Sequence, residues 1–203
     1  IVATDLNPAM VNFAKEHLKE HTSIHWEVAD AVNLPFQNEA FDCLVSQFGV
    51  MFYSDRRKAY ADAYRVLQPG GIFLFSAWDE IRHNPCARLT DEVLKHFFPV
   101  DTPAFYQVPF SYHEEKTIRE DLESAGFQIV SMDVVQLTGY AATAEDAATG
   151  LLEGTPVHTA IMDRDATLLP LMKMELTENL AALFGGKALH VPIQARVVAA
   201  VKR

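Results

Sequence analysis

The stretch IVATDLNP, Ile1 to Pro8, decides how the chain is read. Short, β-branched and apolar residues run from Ile1 to Thr4 and stop at Asp5, and Asn7-Pro8 is a helix-start signal with Asn7 as N-cap and Pro8 as the first helical residue. The spacing predicts a buried strand that ends in a carboxylate. In open α/β sheets, ligands sit outside the carboxyl ends of the strands, and an acidic residue at a second strand end receives ribose hydroxyls. Asp5 is therefore a candidate nucleotide-binding residue, with a plain helix-capping role as the alternative.

The pattern repeats downstream. After Pro8, Met10, Phe13, Ala14 and Leu18 recur at helical spacing and predict a helix reaching about His21, with Met10 in the core. SIHWEVAD (Ser23–Asp30) alternates like a strand and again ends in a carboxylate, Asp30. LPFQNEA (Leu34–Ala40) supplies turn chemistry, and FDCLVSQFGVMF (Phe41–Phe52) is a near-continuous apolar run of the kind covered on both sheet faces. Ala59, Tyr60, Ala63, Val66 and Leu67 form a helical stripe stopped by Pro69-Gly70-Gly71, and IFLFSAW (Ile72–Trp78) is a further buried strand. The order β-α-β-β-α-β predicts a parallel sheet wrapped by helices.

From Glu80 to His113 aromatics mix with four prolines, which predicts an insertion lying over the strand ends. A helix through Ile118 and Leu122, a strand over QIVSMDVVQL (Gln128–Leu137), helices around Leu151 and from Leu169 to Leu183, and a closing strand from Val191 complete the reading. Residues 80–113 and 143–186 are the expected cap of one domain spanning 1–203.

Composition narrows the function. At 203 residues the chain fits one domain, and no apolar run approaches the roughly 20 residues needed to cross a bilayer. A formal net charge of -10 argues against nucleic acid as partner, since polyphosphate binding is driven by Lys and Arg. The two cysteines form neither a metal-ligand cluster nor a disulfide framework, so a reducing, cytoplasmic setting is expected and no metal.

VATDLNPAM (Val2–Met10), VADAVNLPFQNEAFDCLVSQFGVMFYSD (Val28–Asp55), AYRVLQPGGIFLFSAWD (Ala63–Asp79) and the closing strand stand in fixed order. Together they resemble a class I S-adenosylmethionine-dependent methyltransferase, most of all the small-molecule branch that includes the ubiquinone and menaquinone C-methyltransferases. The resemblance is close over roughly the first 80 residues and extends over the rest in element order. It implies a doubly wound, Rossmann-like α/β sheet, mostly parallel, with an antiparallel C-terminal strand. It implies S-adenosylmethionine as cofactor and methyl transfer to a small-molecule acceptor. By position, Asp5 takes the ribose hydroxyls and Leu6 packs near the adenine. Asp30 accepts from the adenine amino group, Ala31 offers a backbone donor, and Gln47 and Phe48 line the methionine half and the methyl.

The family pattern also places a first strand and a glycine-rich loop about 20 residues before the carboxylate corresponding to Asp5. Neither stands in these 203 residues, so two inner sheet edges are expected to face a gap.

Methyl transfer from a sulfonium is an in-line displacement that positioning and exclusion of water can drive. A base serves only acceptors that must lose a proton. His83, His113 and His158 lie in segments that could cover the site, and none is assigned as base. The stretch SQFGVMF (Ser46–Phe52) stands where nucleic-acid amino-methyltransferases carry an N/D-P-P-Y/F box, which favours a small apolar acceptor. Two alternatives are a non-catalytic module of the same fold and a nicotinamide-dependent oxidoreductase. The latter explains Asp5 but not Asp30-Ala31 or Pro69-Gly70-Gly71.

Overall fold

The computed structural model describes residues 1–203. In chain order its elements are β1 (Val2–Asp5), α1 (Pro8–His17), β2 (His25–Val28), β3 (Phe41–Gln47), α2 (Arg56–Val66) and β4 (Leu67–Trp78). There follow α3 (Pro85–Phe97), α4 (Glu115–Ser124), β5 (Phe127–Thr143), α5 (Ala144–Glu153), α6 (Val157–Asp165), α7 (Leu169–Phe184) and β6 (Lys187–Lys202).

β1 and β2 form a parallel pair, Val2 opposite His25 and Asp5 opposite Val28. The remaining strands form a second sheet in the order β3-β4-β6-β5. β3 and β4 are parallel, while β6 runs antiparallel to both of its neighbours, β4 and β5. Parallel strands joined by helices, with an antiparallel C-terminal strand, make this a Rossmann-like fold. No ladder joins β1 to β3.

Local chemistry explains the element ends. The Asn7 side chain accepts the Ala9 N–H at 2.9 Å and starts α1, as the Asn-Pro pair predicts. The helix stops at His17, short of His21, and buries Val11. Met10 and Phe13 are 54% and 61% exposed, which corrects the expectation that Met10 is a core residue. The run Phe41–Phe52 is not one strand. β3 ends at Gln47, Phe48 takes φ +51°, and a single 3₁₀ turn covers Val50–Phe52. α2 ends at Val66, ahead of Pro69-Gly70-Gly71, because the chain turns into β4 at Leu67.

Two hydrophobic clusters fill the molecule. One lies where β3, β4 and β6 meet α2 and α4, around Tyr60, Phe73, Phe75, Ile118 and Leu122. The other joins α3, α5, α6 and α7 to the far end of β6 through Leu94, Leu152, Ile161, Leu176 and Leu189. The β5–β6 ladder reaches from Phe127↔Lys202 to Thr143↔Lys187, whereas β4 pairs β6 only between Trp78↔Ala195 and Ile72↔Val201. The outer half of that hairpin therefore projects past β4 and carries the helical cluster. Residues 80–113 are more regular than expected, since they contain the thirteen-residue helix α3. No helix is long and apolar enough to cross a membrane.

Candidate functional site

A cavity of about 640 Å³ opens between β1 and β3 at their carboxyl ends. Asp5, Leu6, Asp30, Ala31, Gln47 and Phe48, the six residues singled out in the sequence, all line it. Their common position follows from topology. β1, β2 and β3 point the same way out of the fold, so the residues just past each strand gather at one end.

Both carboxylates already do local work with one oxygen. Asp5 Oδ1 accepts the Asn7 N–H at 2.7 Å, and Asp30 Oδ1 accepts the Val32 N–H at 3.1 Å. Asp5 thus combines the two roles read from the sequence, turning the chain into α1 while lining the cavity. The second oxygen of each makes no hydrogen bond within the protein and is available to a ligand.

The turn after Asp30 is held by α2. Asp62 Oδ2 accepts the Leu34 N–H at 2.5 Å. Arg65 donates to Leu34 O at 2.9 Å, to Phe36 O at 2.6 Å and to Asp62 Oδ1 at 2.6 Å. Leu34 and Phe36 are cavity walls, so this fork of charge-assisted bonds fixes one side of the site. The arginine of the R-V-L-x-P-G-G segment has its physical reason here.

Sequence reasoning passed over Ser46, Gly49, Phe52 and Tyr53, which also line the cavity. Ser46 Oγ lies 2.9 Å from Tyr53 Oη, and burial pushes the Tyr53 phenol above its ordinary pKa. A Cβ on Gly49 would come within 2.8 Å of Ser46 Oγ, so glycine lets the 3₁₀ turn close onto β3. The signal was present in the bare glycine of SQFGVMF.

Phe48 marks the inner end. Its N–H donates to Ser76 on β4, with Oγ and the carbonyl oxygen both at 3.1 Å, and its ring stacks on Trp78 at 4.3 Å and 23°. Trp78 faces a second cavity of about 290 Å³ with Phe105, Tyr106, Phe110 and Leu151, and Phe52 lines both cavities. Aromatic rings thus separate the two spaces. His83, His113 and His158 line neither cavity, and the His113 ring is engaged with Phe110 O at 2.8 Å.

This is the architecture of the class I S-adenosylmethionine-dependent methyltransferases, and residues 1–75 match the profile of the methyltransferase domain family. S-adenosylmethionine is the cofactor of that class. More finely, the chain is similar to the ubiquinone/menaquinone biosynthesis C-methyltransferase UbiE. It is 28% identical to the Proteus mirabilis protein over 64% of this chain and 57% of that one. It is 27% identical to the Escherichia fergusonii protein over 68% and 59%. The chain thus spans less than two thirds of the length of these relatives. Among solved structures, the [4+2]-cyclase SpnF has a TM-score of 0.60 at 16% identity, covering 100% of this chain and 65% of that one. Haemonchus contortus phosphoethanolamine N-methyltransferase 2, solved with phosphomonomethylethanolamine and S-adenosylhomocysteine, has a TM-score of 0.55 at 19% identity, covering 99% and 43%.

Proposed function

We propose that this protein transfers a methyl group from S-adenosylmethionine, held in the part of the larger cavity at the carboxyl ends of the strands, to a small acceptor held in the smaller one. One observation carries the reading. Two strand-end carboxylates and the Gln47-Phe48 corner line one cavity, and the aromatic pair Phe48–Trp78 with Phe52 stands between it and an apolar second cavity. Asp5 binds the ribose hydroxyls, Leu6 covers the adenine, and Asp30 with Ala31 reads the adenine edge. Gln47 and Phe48 hold the methionine half so that the methyl points past Phe52. The segments 80–113 and 143–186 form the acceptor side, since Phe105, Tyr106, Phe110, Leu151 and Thr155 come from them.

Transfer then needs alignment and a dry path more than proton chemistry. The space between the facing edges of β1 and β3 takes a further parallel strand whose loop holds the carboxypropyl end of the cofactor. Relatives named for ubiquinone and menaquinone biosynthesis support a ring-bearing, apolar acceptor.

Calorimetry with S-adenosylmethionine, on protein in which a strand fills the slot between β1 and β3, tests the cofactor side. Asp5→Ala removes charge-assisted bonds worth about 1.5–3 kcal/mol each and should weaken binding at least about tenfold. Asp30→Ala should cost less, because the adenine amino group is a neutral donor. Unchanged affinity in a folded Asp5→Ala protein would overturn the assignment.

A further inference from the structure

The second cavity is lined by Phe52, Trp78, Phe105, Tyr106, Phe110 and a few smaller residues, and not one of its lining side chains is Asp, Glu, Lys, Arg or His. Its Asn84, Tyr106 and Thr155 side chains already have partners. The Asn84 amide donates to Gln194 O at 3.1 Å and accepts the Gln194 N–H at 3.0 Å. Tyr106 and Thr155 hydroxyls both donate to Leu151 O, at 2.9 and 3.0 Å. Burial pushes the Cys86 thiol up to about 11 and the Tyr106 phenol up to about 12, so both stay protonated and neutral.

The two buried acids in the flanking elements face cations that do not line the cavity: Asp79 pairs with Arg196, and Asp91, one turn beyond Ala87 on α3, pairs through Oδ2 with Lys95 while its Oδ1 is buried without a partner. An ion entering this space would lose its hydration and meet no counter-charge. A flat apolar ring would meet ring faces and edges on both sides, Trp78 and Phe110 at 5.9 Å and 32°, Phe105 and Tyr106 at 5.3 Å and 81°. At about 290 Å³ the space lies just below the roughly 300–1,000 Å³ of drug-sized ligand sites.

We propose that the second cavity is a charge filter, taking a compact, uncharged aromatic acceptor and rejecting charged forms of the same ring. The inference deepens the methyl-transfer reading and rests on it for the word acceptor. It sets this chain apart from a fold neighbour solved with phosphomonomethylethanolamine, a charged ligand.

The test is calorimetric titration at neutral pH, on folded protein in which a strand fills the slot between β1 and β3, with three probes that share one ring, 2-naphthol, 2-naphthoate and 2-naphthylmethylammonium. The neutral ring should bind, and both ions should bind at least about 100-fold more weakly. Phe105→Leu should lower naphthol affinity about five- to tenfold while leaving S-adenosylhomocysteine affinity unchanged. Thr155→Lys, near the α5–α6 turn, should admit the naphthoate. Circular dichroism of each variant separates misfolding from lost binding, and the wild-type probe ratio holds whichever variant fails to fold. Naphthoate binding within threefold of naphthol, or no binding of any neutral ring, overturns the filter. Selective naphthol binding without any S-adenosylhomocysteine binding would leave the filter standing and sink the methyl-transfer reading.

Discussion

Phe48 holds a backbone conformation that side chains rarely adopt, at φ +51°, and three groups keep it there: Ser76 Oγ, Ser76 O and the Trp78 indole. Left-handed φ costs a side-chain-bearing residue about 1–2 kcal/mol, a cost that glycine escapes. Phe48→Ala loses the stack and keeps the strain, whereas Phe48→Gly loses the stack and releases the strain. With a strand filling the slot between β1 and β3, urea denaturation should therefore find the glycine variant more stable by about 1 kcal/mol, the reverse of the usual order inside strands. An alanine variant that is the more stable of the two would show that the corner is unstrained. At this scale the sequence was informative about which residues gather and silent about how. Asp5, Asp30, Gln47 and Phe48 were legible because strand ends are legible. The turn at Phe48 was not, because FDCLVSQFGVMF keeps its apolar character straight through the bend. Glycine at 49, with Ser46 Oγ in the place of its missing Cβ, was the one local hint.

Between elements, the junction of β4, β6 and α3 rests on a buried polar cluster. Asp79, 3% exposed, accepts from Gln194 Nε2 at 2.6 Å, from the Glu80 N–H at 2.9 Å and from Arg196 Nε at 3.2 Å. Burial alone would raise its pKa, but these donors and the Arg196 charge outweigh it and hold the carboxyl below its ordinary range. A depressed carboxylate stabilises the fold above its unfolded pKa of about 3.9, and that contribution is lost as pH falls through the still lower folded value. Thermal melts between pH 7 and pH 3, on protein in which a strand fills the slot between β1 and β3, should show stability falling below about pH 4. Asp79→Asn should start about 3 kcal/mol lower, leaving Arg196 half-enclosed and unpaired, and should fall less steeply in acid. Asp62, lowered in the same direction by Arg65 and the Leu34 N–H against the opposing effect of its burial, keeps some acid sensitivity in the variant. An acid limb identical to wild type would remove Asp79 from the account. Elements were legible in kind and less so in extent. α3 was hidden by the prolines and aromatics around NPCARLTDEVLKHFF, and α6 by its brevity. β5 and β6 run well past their predicted ends because Gly139 and Pro192 look like breakers. Both lie on the outer half of the hairpin, where β6 has β5 as its only sheet neighbour and proline is tolerated.

For the whole molecule, the decisive feature is that β1 and β3 face each other across the larger cavity with their ladders incomplete. Val2 and Thr4 look across at Cys43 and Val45, and Val45 is 63% exposed. Two strand edges left open in this way are templates for pairing with another chain, and no hydrogen bonds across the gap tie the two sheets together. The 203-residue polypeptide expressed alone should therefore be insoluble or melt without a cooperative transition, and chain that supplies a parallel strand to the slot should restore one together with cofactor binding. Calorimetric scans of both forms check this. A sharp two-state transition from the 203-residue monomer would mean that the open edges are tolerated.

The long β5–β6 hairpin has one more consequence, an evolutionary one. Thr143 pairs with Lys187, and the Ala144 N–H donates to Gly186 O, so α5, α6 and α7 leave and re-enter the scaffold at adjacent points. A segment whose two ends meet can be exchanged without moving the strands it joins, provided its replacement covers α3 and the far end of β6. Acceptor choice can thus drift by wholesale replacement of residues 144–186, while the strand ends around Asp5 and Asp30 stay as they are.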